Sequence, residues 1–142
     1  MSVQNRAAVR RLYEEVLGKG NLAAADEVLA PGFVDHMPLV ETPDRDGLLK
    51  AMMAARRAFP DLRYEVVAEI SNEHWIATAV EVDGGVHRGP FMGVPATGKP
   101  VKWTETHLWK VIDAKIVEHH GNVSMFEIHK TIGSHNLESK LR

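Results

Sequence analysis

The run Trp103-Thr104-Glu105-Thr106-His107-Leu108-Trp109 sets a carboxylate and an imidazole on alternate positions between two tryptophans. Side chains of an extended strand alternate between faces, so Trp103, Glu105, His107 and Trp109 share one side of a sheet. Imidazole titrates near neutrality. A neighbouring carboxylate can orient it, stabilise its charged form, or act as the base itself where burial raises its pKa. The chemistry to expect is proton transfer in a pocket walled by aromatic rings.

The next segment, Lys115–Val123, supplies candidate partners. If Asp113-Ala114 is a two-residue turn, Ile112 pairs with Lys115. Counting outward then sets His120 opposite His107, Asn122 opposite Glu105, and Glu118 opposite Trp109. Opposed β-carbons lie about 4.5–5.5 Å apart, so Glu105, His107, His120 and Asn122 would form one polar patch flanked by Trp103 and Trp109. A bulge would turn every side chain beyond it to the other face. Two histidines and a carboxylate also resemble an iron or zinc ligand set. No short-range motif such as His-Glu-x-x-His accompanies them, and the expectation is a site without metal. His119 and His129 read as surface residues and are assigned no role.

Several elements must position this face. Val9, Leu12, Tyr13, Val16 and Leu17 recur at helical spacing, and Gly18 and Gly20 stop that helix. Asn21 can cap a second helix carrying Leu22, Ala25, Val28 and Leu29, which Pro31-Gly32 ends. Phe33 to His36 reads as extended. A third helix starts near Asp44 or Asp46 and runs to Phe59, where Pro60 closes it. Strands are expected over 64–70, 74–82, 86–91, 101–111 and 115–123, with turns at Asn72-Glu73, Asp83-Gly84-Gly85 and Asp113-Ala114. Ser124-Met125-Phe126-Glu127 matches a capping box for a last helix, and the polar tail after Gly133 should fray. Helices followed by an antiparallel meander make an α+β pattern in a single domain, residues 1–142.

Composition narrows the partners. The net charge of −2 spreads its basic residues among acids, which disfavours nucleic acid. Without cysteine there is no disulfide framework or thiol nucleophile. No apolar run reaches membrane-spanning length, so a cytoplasmic protein acting on a small molecule is the default.

The chain resembles the SnoaL-like polyketide cyclase family, within the nuclear-transport-factor-like superfamily. Five stretches carry the likeness: Phe33-Val34-Asp35-His36-Met37-Pro38, Ala58-Phe59-Pro60-Asp61-Leu62, the loop from Gly89 to Lys99, the hairpin from Asp113 to His120, and Ile132-Gly133. The resemblance implies N-terminal helices packed in a strongly curved antiparallel sheet, a cone-shaped barrel with an apolar internal pocket. It further implies a cyclase that closes a polyketide ring by aldol chemistry with a carboxylate and a histidine, no metal or organic cofactor, and pairing of subunits into a homodimer. The family histidine falls at His107, and His36 at a pocket-lining position. The family's catalytic aspartate falls at Gly121, so its proton donor is absent or has moved.

The expected enzyme therefore uses His107 as principal acid/base, with Glu105 and His120 as partners. His36, Trp75, Phe91, Met92, Trp103, Trp109 and Asn122 would contact an apolar, carbonyl-bearing ring compound. Two other readings stay open: a carrier domain that has lost catalysis, and an epoxide hydrolase. The latter needs paired carboxylates where only Glu105 is well placed.

Overall fold

A computed structural model describes residues 1–133 of the chain; the tail expected to fray lies outside the described residues. Ser2 opens helix α1 (Val3–Arg11) by accepting the Asn5 amide at 3.0 Å, and the helix widens into a π-helical stretch over Leu12–Leu17. The wider winding keeps Leu12, Tyr13, Val16 and Leu17 all buried. Asn21 caps α2 (Leu22–Val28) through the Ala24 amide, and Asp44 caps α3 (Arg45–Ala58) through the Gly47 amide. Both caps stand where the sequence placed them, because a short side-chain acceptor can satisfy an amide that has no carbonyl partner in the first turn.

Five strands follow the order β1-β5-β4-β3-β2, with β1 (Leu29–Asp35), β2 (Arg63–Ser71), β3 (Trp75–Val86), β4 (Pro100–Ile112) and β5 (Lys115–Val123). The sheet is curved but not closed, and α4 (Met125–Ile132) packs beside β4. All neighbours are antiparallel except β1 and β5, which run parallel, with Val34 opposite Glu118 and Asp35 opposite His119. The segment 86–91 is not a separate strand. The chain leaves β3 at Val86, and only a bridge between Phe91 and Val94 persists in a loop that Pro90 keeps out of the ladder. The capping box at Ser124 is half formed. Ser124 accepts the Glu127 amide, but the Glu127 carboxylate turns to the Thr104 amide and hydroxyl and so ties α4 to β4.

The β4–β5 hairpin decides the site. Asp113 and Ala114 have φ of 50° and 62°, the left-handed pair of a two-residue hairpin turn, and Ile112 opposes Lys115 as the spacing predicts. The register then shifts between the Val111–Ile116 and Lys110–Glu118 pairs, leaving Val117 as the extra residue of a β-bulge. Beyond it, Trp109 opposes His119, His107 opposes Gly121 and Glu105 opposes Val123. His119 turns inward and is buried, whereas His120 and Asn122 turn outward and are exposed.

His87, where the chain leaves the sheet, is fully buried against Phe59. Its Nδ1 accepts the Thr97 amide, and its Nε2 has no protein partner among the described residues. Burial lowers the pKa of His87, and that of His119 as well. A histidine held neutral in the fold binds its proton first in the unfolded chain, so stability falls as pH drops below the unfolded value of about 6.5. Each such histidine costs at most about 1.4 kcal/mol per pH unit, and only between its unfolded and folded pKa values. The depressed carboxylates Asp44, Asp83 and Glu127 act in the same direction only at lower pH. Urea melts at pH 7.5 and 5.5 should show the lower midpoint at 5.5, with a smaller difference in His87→Gln. A midpoint independent of pH would contradict this.

Candidate active site

The inner face of β4 presents Val101, Trp103, Glu105, His107, Trp109 and Val111, all buried, as the alternation predicts. Of these, Trp103, Glu105, His107 and Trp109 line a cavity of about 200 Å³ together with α3, the loop after β1 and α4. Its wall is mostly apolar, with Leu48 and Met52 from α3, Met125 and Ile128 from α4, and Phe91 and Met92 at the loop. Glu105, His107, His119 and Tyr64 interrupt that wall.

Trp103, Glu105, His107 and His119 join Asp35 in one hydrogen-bonded chain. The Trp103 indole N–H donates to Glu105 Oε2 at 2.7 Å, and Glu105 Oε1 lies 2.8 Å from His107 Nε2. His107 Nδ1 lies 2.8 Å from His119 Nε2, and His119 Nδ1 lies 2.9 Å from Asp35 Oδ1. That same oxygen accepts the Met37 amide at 2.9 Å, while Asp35 Oδ2 is buried with no protein partner among the described residues. The Asp35 and His119 side chains are 0% and 1% exposed. Stacking fixes the rings: Trp109 lies parallel to His119 at 3.7 Å between centroids, and its N–H donates to the Tyr13 hydroxyl, which is bonded to Thr78. Burial outweighs the Asp35 hydrogen bond and keeps His119 neutral. Burial pushes the Tyr64 phenol well above its ordinary range, so Tyr64 remains a donor.

Gly121 makes this arrangement possible. A β-carbon there would stand 2.4 Å from His107 Nδ1 and 2.7 Å from His119 Nε2, in the space where the two rings meet. Gly121→Ala should therefore lose about 1–3 kcal/mol, the scale of overpacking a filled interior. An unchanged denaturation midpoint would show the rings free to move aside.

Six of the ten residues expected at the site line the cavity: Glu105, His107, Trp103, Trp109, Phe91 and Met92. The other four do not. His120 and Asn122 lie on the outer face because of the bulge. Trp75 is on that face too, under the Lys110 ammonium and near the His120 ring. His36 follows β1 outward and stacks on His120 at 4.3 Å, both imidazoles turned to Glu118. Thus the set His107, Glu105 and His120 cannot converge on one ion. His36, Glu118 and His120 have nitrogen and oxygen donors within 4.8 Å of one another but are part-exposed, and among the described residues neither ring has an Nδ1 partner to orient it. They form a surface polar cluster on the far side of the sheet.

Sequence reading missed His119, Asp35 and Tyr64. Of the three only Asp35 carries a local signal, in the Asp-His-x-Pro stretch beside His36.

Known proteins share this build. IdmH of Streptomyces antibioticus, a proposed polyketide cyclase, superposes with a TM-score of 0.80 over 92% of this chain and 99% of its own, at 30% identity. AclR of Streptomyces galilaeus, a proposed hydroxylase, gives 0.80 at 25% identity over 92% and 96%. The aklanonic acid methyl ester cyclase DauD of a Streptomyces species is 29% identical over 94 residues, 66% of this chain. The match spans only 56% of DauD, a little over half its length. The family model described as SnoaL-like polyketide cyclase matches residues 7–130. By that match and this architecture, the chain belongs to the SnoaL-like polyketide cyclase family.

Proposed function

We propose that this protein closes a ring in an apolar, carbonyl-bearing polyketide by cofactor-independent acid/base chemistry, with Glu105 exchanging protons with the substrate. The carrying observation is the Glu105–His107 pair, bonded at 2.8 Å in the wall of an otherwise apolar cavity. Both nitrogens of His107 are engaged, one by Glu105 and one by His119, so the imidazole backs the carboxyl group. Glu105 lies in the cavity wall, and its hydroxyl turns from His107 Nε2 to the substrate oxygen as it gives up the proton.

In an intramolecular aldol closure the enol carbon bonds to the carbonyl carbon. That carbonyl oxygen takes a proton from the site, and the enol hydroxyl returns one. No oxidant is used and the mass is unchanged. Glu105 supplies and recovers the proton. Tyr64, a phenol held protonated on the same wall, donates a hydrogen bond to the oxygen that gains charge.

The test is to incubate EDTA-treated protein with aklanonic acid methyl ester, the compound in the relatives' name, and to look for an isomer of equal mass by chromatography and NMR. Isomer formation supports the reading. Binding without conversion favours the carrier alternative, and neither binding nor conversion removes this substrate class.

We read the outer sheet face as the contact of a homodimer in the cytoplasm. Ile70, 79% exposed, and Leu108 border an apolar groove there with Ala68, Ala77 and Ala79. Apolar surface of this kind is ordinarily covered. Light scattering should give a dimer mass, and Ile70→Lys should give a monomer.

A further inference from the structure

The buried chain from Asp35 to Glu105 has three bridges: Asp35 to His119, His119 to His107, and His107 to Glu105. Each bridge needs one proton, because two lone pairs at 2.8–2.9 Å would repel. Two neutral imidazoles bring only two protons, one apiece. The array therefore holds one proton more than two neutral histidines and two carboxylates would carry.

The contacts at the two ends differ, and the difference locates that proton. At Asp35, a single oxygen, Oδ1, receives both the Met37 amide and His119, while Oδ2 faces no protein donor among the described residues. A protonated Asp35 would have to use Oδ1 as hydroxyl donor to His119 and, at once, as acceptor of the Met37 amide, for which a carboxylic hydroxyl oxygen is poorly suited. An ionised Asp35 uses Oδ1 as a twofold acceptor. At Glu105 the roles are divided, with Oε2 accepting the Trp103 N–H and Oε1 facing His107 Nε2. That division suits a carboxylic acid, with a carbonyl oxygen that accepts and a hydroxyl that donates.

We propose that Asp35 and His119 act as positioning residues that fix the His107 tautomer and keep the surplus proton in the Glu105–His107 bridge, making Glu105 the resting acid of the site. Asp35 accepts from His119 Nδ1–H, His119 Nε2 accepts from His107 Nδ1–H, and His107 Nε2 faces the Glu105 hydroxyl. The acid thus sits two positions along β4 from His107, instead of opposite it at residue 121. Gly121 leaves room for the His107–His119 bond that sustains it. The role assigned to Glu105 as acid rests on the cyclase reading; the proton positions do not.

The experiment is 15N NMR of histidine-labelled protein without substrate, with His107 and His119 assigned from single glutamine variants. Expected are a protonated, pyrrole-like Nδ1 on both rings and a bare, pyridine-like Nε2 on His119. A bare Nδ1 on His119 would put the proton on Asp35 and overturn the proposal. Asp35→Leu removes the acceptor. His119 should then turn to the Nε2–H tautomer, His107 should donate to Glu105 through Nε2–H, and Glu105 should lose its proton. Turnover of aklanonic acid methyl ester should fall at least about 100-fold with little change in KM, because Asp35 does not line the cavity. Asp35→Asn keeps an oxygen at the Oδ1 position and should retain both tautomers and most of the turnover. Wild-type protein with reversed tautomers that still turns over overturns the proton placement and leaves the cyclase reading intact. Expected tautomers in a protein that converts nothing support the placement and count against that reading.

Discussion

Glu105→Gln is expected to lower turnover by about 10²–10⁴-fold, the range for a positioned acid or base, while leaving the fold in place. Glutamine reproduces the shape of the side chain and both of its contacts. Its carbonyl oxygen can accept the Trp103 N–H and its amide can donate to His107 Nε2, the atoms Glu105 now faces. It cannot release a proton. The loss should fall on kcat, with KM and the denaturation midpoint near wild type. His107→Ala should lose over about a hundredfold as well, but with a stability cost, since it opens a void beside Trp109 and strips Glu105 and His119 of a partner. Near-wild-type turnover in Glu105→Gln would remove Glu105 from the chemistry. Near-wild-type turnover in both would remove the pair.

Trp109→Ala should cost about 3–5 kcal/mol, the range for deleting a large buried aromatic side chain. Trp109 is 0% exposed, lies parallel to His119 and meets Tyr13 edge-on. Its loss leaves a cavity against three rings and takes away the donor to the Tyr13 hydroxyl. Trp109→Phe should recover much of the stability, since it restores most of the apolar volume without the N–H. Because total stabilities are about 5–15 kcal/mol, the alanine variant should unfold well below wild type in a thermal melt. A shift of less than a few degrees would mean that the rings close over the gap.

Local features of the sequence sufficed wherever physics is local. The period-two run from Val101 to Val111 placed Trp103, Glu105, His107 and Trp109 on one inner face, because strand geometry leaves no other option. Asn21, Asp44 and Ser124 announced helix starts through side chains that reach amides three residues on. Asp113-Ala114 fixed the hairpin turn and its first pair. The family likeness supplied the architecture and drew attention to the missing aspartate at Gly121.

Tertiary structure decided which groups meet His107. A single extra residue, Val117, exchanges His120 for His119 on the inner face, and no local pattern in Lys115–Val123 marks it. What favours the bulge lies elsewhere: the flat Trp109 ring over which His119 stacks, the room left by Gly121, and Asp35 arriving from 84 residues away on a parallel neighbour. The sequence by itself determined that a carboxyl group and an imidazole would share an aromatic pocket. Only the folded sheet decided that the second histidine and second carboxylate come from His119 and Asp35, since strand register is set by long-range burial and pairing, which a one-residue slip reverses.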